Sequence, residues 1–158
     1  MGLLFVVHCI SFTQKNMRIL YCICFILLFN ACDTRNDVDE NCRFLLDINV
    51  NLSINLSLPQ YSELQFAGNS VYIPNVGNGG IIVASTGFDF FAWDASDPNK
   101  PPSNCSVLVP NGLFATSGCE DENTYNLITG EPTENPNLRC SLKFYRIERN
   151  GNTLLIFN

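Results

Sequence analysis

The sequence predicts an all-β domain, an antiparallel sandwich or barrel of short strands, preceded by a segment that serves export rather than the fold. Three observations predict it. Residues 48–58 (INVNLSINLSL) alternate apolar and polar without a fault, the period-two signature of a half-buried strand. Short β-rich runs then recur to the end of the chain, each bounded by Gly, Asn or Pro, and no segment shows helical periodicity. A chain of 158 residues that gives up its first stretch to export has room for one core.

The elements follow in order. Residues 19–29 (ILYCICFILLF) form an apolar run too short to span a bilayer as a mature helix, and they fit the h-region of a secretory signal. Met17-Arg18 stands directly ahead of the run. Met17 is therefore read as the true start and residues 1–16 as an upstream over-extension, the competing reading being one long signal. The run ends at Phe29-Asn30-Ala31-Cys32, and a Cys behind a small residue at that place resembles the lipobox of bacterial lipoproteins. The resemblance implies a signal peptide of residues 1–31, cleavage before Cys32 and diacylglycerol on the Cys32 sulfur. The lipid chains would anchor the protein in a membrane, each buried methylene adding about 0.8 kcal/mol; the alternative is an ordinary signal peptide that leaves Cys32 a plain thiol. The implied localisation is the cell envelope of a Gram-negative-type bacterium, facing periplasm or exterior. Residues 32–42, with the polar run DTRNDVDEN, read as a lipidated flexible tether, and residues 43–158 as the β domain.

In the alternating strand Ile48, Val50, Leu52, Ile54, Leu56 and Leu58 share one face, and Pro59 ends it. Its Asn51-Leu-Ser and Asn55-Leu-Ser triplets are the polar face rather than glycosylation sites. Strands are next expected at residues 70–74, 79–85 and 88–94, with turns at NVGNGG (75–80) and Ser85-Thr86-Gly87. Residues 94–105 (DASDPNKPPSNC) hold three prolines and form an exposed loop of the kind that carries sites. Further strands are expected at 106–109, 113–116, 124–128, 140–148 and 153–157. The last two are joined through Asn150-Gly151, the strongest short hairpin signal.

Charge and side-chain inventory narrow the function. Without Lys15 and Arg18 the exported chain has 7 basic against 15 acidic residues, a net charge of −8. An acidic domain without a basic run is a poor binder of nucleic acid or anionic lipid heads. Cys9, Cys22 and Cys24 leave with the signal, so Cys42, Cys105, Cys119 and Cys140 remain beside Cys32. An even set in an oxidising compartment implies two disulfides, with three connectivities open. The only histidine, His8, also leaves. A chain without histidine has no Ser-His-Asp or Cys-His catalysis and lacks the commonest zinc ligand, so no enzyme is expected.

The run GGIIVASTGFDFFAWD, then Asp97-Pro98-Asn99, then Cys119-Glu-Asp-Glu122, then TYNLITGEP and SLKFYRIERNGNTLLIF resembles the Rieske-type [2Fe-2S] domain family, in particular a branch of small envelope lipoproteins. The resemblance covers about half of the chain and implies a Rieske-like β fold. It also implies where a cluster would sit: Asp97 stands for the first Cys, Asn99 for the first His, Cys119 for the second Cys and Glu122 for the second His. A Rieske centre takes two thiolates and two imidazoles. One position in four keeps its ligand, which makes the site degenerate.

Cys105 lies close enough in sequence to join Cys119. With carboxylates the two could form an altered ligand set for a [2Fe-2S] cluster, but carboxylate is a hard ligand for a sulfide cluster. A Cys105–Cys119 disulfide is the favoured outcome, its loop of about 15 residues worth about 3 kcal/mol. By elimination Cys42 then pairs with Cys140. Asp97, Glu120, Asp121 and Glu122 are weighed as a Ca²⁺ site and set aside, because carboxylates adjacent in sequence do not converge on one centre; no metal is expected. Phe88, Phe90, Phe91 and Trp93 are read as core on both strand faces, and Tyr125 and Tyr145 as structural. The expectation is a non-catalytic envelope lipoprotein without cofactor, acting as a binding or structural module toward an unknown envelope protein or ligand. The alternative is an electron-transfer protein that retains an iron-sulfur cluster.

Overall fold

Alternation along residues 48–58 does build a strand, β1 (Asn51–Asn55), in the computed structural model, which describes residues 42–135 and 137–158. The signal, the lipidation residue Cys32 and the tether up to residue 41 lie outside the described residues. Eight more strands follow: β2 (Asn69–Ile73), β3 (Ile81–Ser85), β4 (Phe90–Asp94), β5 (Leu108–Asn111), β6 (Phe114–Ser117), β7 (Thr124–Asn126), β8 (Phe144–Asn150) and β9 (Thr153–Phe157). Each of the expected runs overlaps one of them.

Six strands form one antiparallel sheet in the order β1-β9-β8-β4-β3-β2, and β5-β6-β7 form a second. The first sheet curls on itself. Val50 and Ile54 from its first strand region and Ile156 from β9 share a cluster with Ile73 of β2 and Ile81 and Val83 of β3. The second sheet covers the other face of β3 and β4, where Ile82, Ala84 and Trp93 meet Leu108, Ala115, Tyr125 and Leu127. All five residues of β3 are therefore buried, and a short apolar run reads as such because neither face meets water. Each fully buried Ile or Leu contributes about 1.5–3 kcal/mol.

One element was not expected and one expectation is corrected. A 3-10 helix at Pro59–Gln65 has no periodic signal, since seven residues with a Pro at the start bury a single apolar anchor, Leu64. Phe88, read as core, is 92% exposed. It sits in the four-residue turn 86–89 between β3 and β4, where Thr86 and Asp89 bond each other through backbone and hydroxyl groups. Phe90 and Phe91 do pack against the two cores, one on each side, and Trp93 is buried.

The Thr-Gly turn after β7 packs onto Trp93. The indole Nε1 donates to the Leu127 carbonyl at 2.8 Å, and Gly130 follows at φ +77°, where a Cβ would lie 2.6 Å from the indole ring. Glycine alone meets both demands.

Candidate functional site

The candidate site is built where β4 ends and β7 begins. Asp97 follows β4 in the first loop and is fully buried. Its backbone is fixed by N–H donation to the Ser106 carbonyl at 2.8 Å, beside the Ser96↔Val107 bridge. Its carboxylate accepts three hydrogen bonds: from Tyr125 Oη at 2.5 Å, from Asn123 Nδ2 at 2.8 Å and from the Asn99 amide at 2.9 Å. An uncompensated buried carboxylate would be costly, and this one is satisfied by donors from both loops.

Asn99 ties the network to a third segment. Its Nδ2 donates to Tyr125 Oη and to the Cys140 carbonyl, both at 2.8 Å. Its Oδ1 accepts from the Arg139 and Cys140 amides at 3.2 and 3.1 Å. One asparagine thus satisfies its full amide capacity. Burial first, and the facing Asp97 second, push the Tyr125 hydroxyl well above the ordinary tyrosine range, so it stays a donor at neutral pH. Asn123 Oδ1 is a buried oxygen without a hydrogen-bond partner; its orientation is set by the Nδ2 that must face Asp97.

Two covalent staples close the arrangement. Cys105 is bonded to Cys119, 14 residues apart, and Cys42 to Cys140, 98 apart. Both are the pairs favoured from the sequence. On the outside Lys100 of the first loop meets Asp121 of the second at 2.6 Å. That ammonium, as a hydrogen-bond donor, holds the exposed Asp121 carboxyl below its usual range.

The structure thus joins Asp97 and Asn99 directly and brings Cys119 in through its disulfide loop. Glu122 is not joined to them: it is exposed on the turn Cys119–Glu122, at φ 44°. Glu120 is exposed too, and Asp121 is engaged by Lys100. Among the described residues no three His, Cys, Asp or Glu side chains gather as a metal group. A [2Fe-2S] centre does not fit these residues, since the one retained thiol is bonded to Cys105 and the Asp97 and Asn99 side chains are committed to the network. The sequence reading missed Asn123 and the Lys100–Asp121 bridge. The signal for the bridge was Lys100 as the sole cation in the first loop, opposite the acidic run.

A second buried carboxylate was also missed. Asp94, at the end of β4, accepts five hydrogen bonds: from Asn78 N and Nδ2, Gly79 N, Ser96 N and Tyr145 Oη. The turn NVGNGG is shaped around it. Gly77, at φ +69°, passes so close that a Cβ would stand 2.8 Å from both the Asp94 carboxylate and the Tyr145 hydroxyl. Tyr145, buried and facing this carboxylate, has its hydroxyl pushed above the ordinary range as well. Both tyrosines are structural, as expected.

No known family model matches the chain, and no curated protein matches it. Among solved structures, one chain of the complex of reduced oxygenase and oxidized ferredoxin in carbazole 1,9a-dioxygenase is similar with a TM-score of 0.49 at 18% identity, over 68% of this chain and 93% of that one. The ferredoxin of carbazole 1,9a-dioxygenase from Nocardioides aromaticivorans IC177 gives 0.45 at 16% identity, over 68% and 95%. A chain described as the small subunit of an NADH-dependent nitrite reductase from Mycobacterium tuberculosis gives 0.43 at 16%, over 71% and 97%. Similarities at this level carry nothing about the chemistry of this chain.

Proposed function

We propose that the protein is a non-catalytic cell-envelope lipoprotein, anchored through lipid on Cys32, whose Rieske-like β domain has exchanged its metal centre for a hydrogen-bonded clasp and acts as a binding or structural module. The observation that carries this is the Asp97 network: the carboxylate at the first ligand position is fully buried and saturated by Tyr125, Asn123 and Asn99, while the Cys119 sulfur is consumed by Cys105. The signal and lipobox-like residues support the export and anchoring part. The absence of histidine after residue 8 supports a non-enzymatic role.

Iron analysis and thiol titration on the purified oxidised protein test it. The expected result is a colourless protein with neither iron nor a free thiol at Cys42, Cys105, Cys119 or Cys140. Stoichiometric iron with visible absorbance would overturn the proposal in favour of an electron carrier. Replacing Cys32→Ser should release the protein from membranes, and unchanged membrane retention would remove the lipid anchor from it.

A further inference from the structure

The two disulfides differ in their access to solvent. Cys105 is exposed and Cys119 half-buried, whereas in the other pair Cys140 is 4% exposed and Asn99 holds both its amide and its carbonyl. Thiol–disulfide exchange requires an attacking thiolate to reach a sulfur of the bond it breaks, so access decides which pair reacts first. The Ser103 hydroxyl also donates to the Cys105 sulfur at 3.4 Å. A thiolate forming on Cys105 meets that donor, while one on Cys119 meets the acidic run Glu120-Asp121-Glu122 that follows it. Cys105 is therefore the better leaving sulfur.

The loop that this bond closes is held in an unfavourable conformation. Glu122 sits at φ 44°, a left-handed backbone that costs a residue with a long side chain. Next to it Asn123 Oδ1 is buried without a hydrogen-bond partner among the described residues, so its desolvation is uncompensated. The base of the loop is tied to the first loop by Asn123 Nδ2 on Asp97 and by the Ser117 hydroxyl on the Cys105 carbonyl. Its tip is tied by the Cys105–Cys119 bond and the Lys100–Asp121 pair. An exposed ion pair is a weak hold, which leaves the covalent bond as the main restraint on residues 119–122.

We propose that Cys105–Cys119 is a redox latch that a dithiol reductant opens, releasing the loop tip from the first loop. One thiolate of the reductant attacks the Cys119 sulfur, and the electron pair of the broken S–S bond goes to Cys105, which takes a proton from solvent. The second thiol of the reductant loses its proton to solvent and displaces Cys119 from the mixed disulfide. Two electrons pass in all: the protein disulfide becomes two thiols and the dithiol becomes a disulfide. Water then reaches Asn123 Oδ1 and Glu122 leaves its left-handed backbone, while Asp97 keeps Tyr125 and Asn99. The latch rests on the reading that Cys119 is bonded to Cys105 rather than to iron.

The oxidised full chain is treated with dithiothreitol without denaturant, alkylated at intervals and mapped by peptide mass. Cys105 and Cys119 should be alkylated about tenfold or more faster than Cys42 and Cys140. In protein reduced at the first pair alone, the Glu122 amide, which donates to the Cys119 carbonyl, should exchange about tenfold or more faster than before. The Asp97 amide, bonded to Ser106, should keep its rate. Glu122→Asn, which tolerates the left-handed backbone, should shift the equilibrium with dithiothreitol about threefold or more toward the disulfide. Joint reduction of both pairs, or reduction of Cys42–Cys140 first, overturns the latch. Unchanged exchange at Glu122 overturns the opening, and an unmoved equilibrium in Glu122→Asn overturns the part given to backbone strain. Iron analysis of the protein as purified separates the two proposals: bound iron with a free Cys119 removes the cluster-free reading, and an iron-free protein whose two pairs are reduced together removes the latch alone.

Discussion

Replacing Tyr125→Phe removes one oxygen and little volume. That oxygen donates to Asp97 Oδ1 at 2.5 Å and accepts from Asn99 Nδ2 at 2.8 Å. Asp97 is fully buried, so bulk water does not replace the lost donor, and a hydrogen bond to a charged group is worth about 1.5–3 kcal/mol. Asn99 loses less, because the same Nδ2 keeps the Cys140 carbonyl. The variant should therefore be less stable by about 2–3 kcal/mol, at roughly 4 °C in melting midpoint per kcal/mol. Urea unfolding of the oxidised protein at neutral pH measures it, provided the slope with denaturant is unchanged. Crossing it with Asp97→Asn in a double-mutant cycle should return a coupling of about 1–3 kcal/mol. A Tyr125→Phe protein within about 0.5 kcal/mol of the parent, or strictly additive effects, would refute the role given to this hydroxyl. Tyr145→Phe is the internal comparison: it should cost less, because Asp94 keeps four other donors.

Three further outcomes are expected. Replacing Cys105 and Cys119 by Ser should cost about 3 kcal/mol, and replacing Cys42 and Cys140 about 4.7 kcal/mol on the same chain-entropy basis; unfolding curves in urea would show the order, and a larger loss from the shorter loop would contradict it. Gly130→Ala should destabilise by about 2 kcal/mol or more, since it meets both a positive φ and the Trp93 ring; an intact melting midpoint would deny that contact. Because Tyr125 and Tyr145 hold their protons more tightly folded than unfolded, stability from this source is complete below about pH 10, the unfolded value. It should fall above that pH by up to about 1.4 kcal/mol per unit for each tyrosine, and unfolding free energies flat through that range would count against both buried hydroxyls.

Strand alternation was legible because water sits on one side: residues 48–58 carry the pattern, and β1 exposes Asn51, Ser53 and Asn55 while burying Ile54. The disulfides were legible from cysteine count and the site's expected neighbourhood. What stayed hidden depends on partners distant in sequence. Asp94 looks like a solvated strand end until Asn78 and Tyr145 are seen to converge on it. Asp97 and Asn99 were identified as altered ligand positions, yet nothing local says that Tyr125 and Asn123 complete them. The start of β8 at Phe144 rather than Cys140 has the same origin: Arg139 and Cys140 give their amides to Asn99, and Leu142 gives its amide to Gly130.

Pairing of β1 with β9 puts Asn51 opposite Phe157 and Asn55 opposite Thr153, so the first strand of the sheet waits for the last. Loop-closure entropy must be met before these contacts return any stabilisation, which puts such a topology among slow-folding domains, in the range of about milliseconds to seconds. A nascent chain emerging from its N-terminus leaves the apolar face of β1 without its sheet neighbour until β9 has been made. The Cys42–Cys140 bond encloses β1 to β7 but ends ahead of β8 and β9, so the covalent staple is complete in sequence before the strand that closes the sheet.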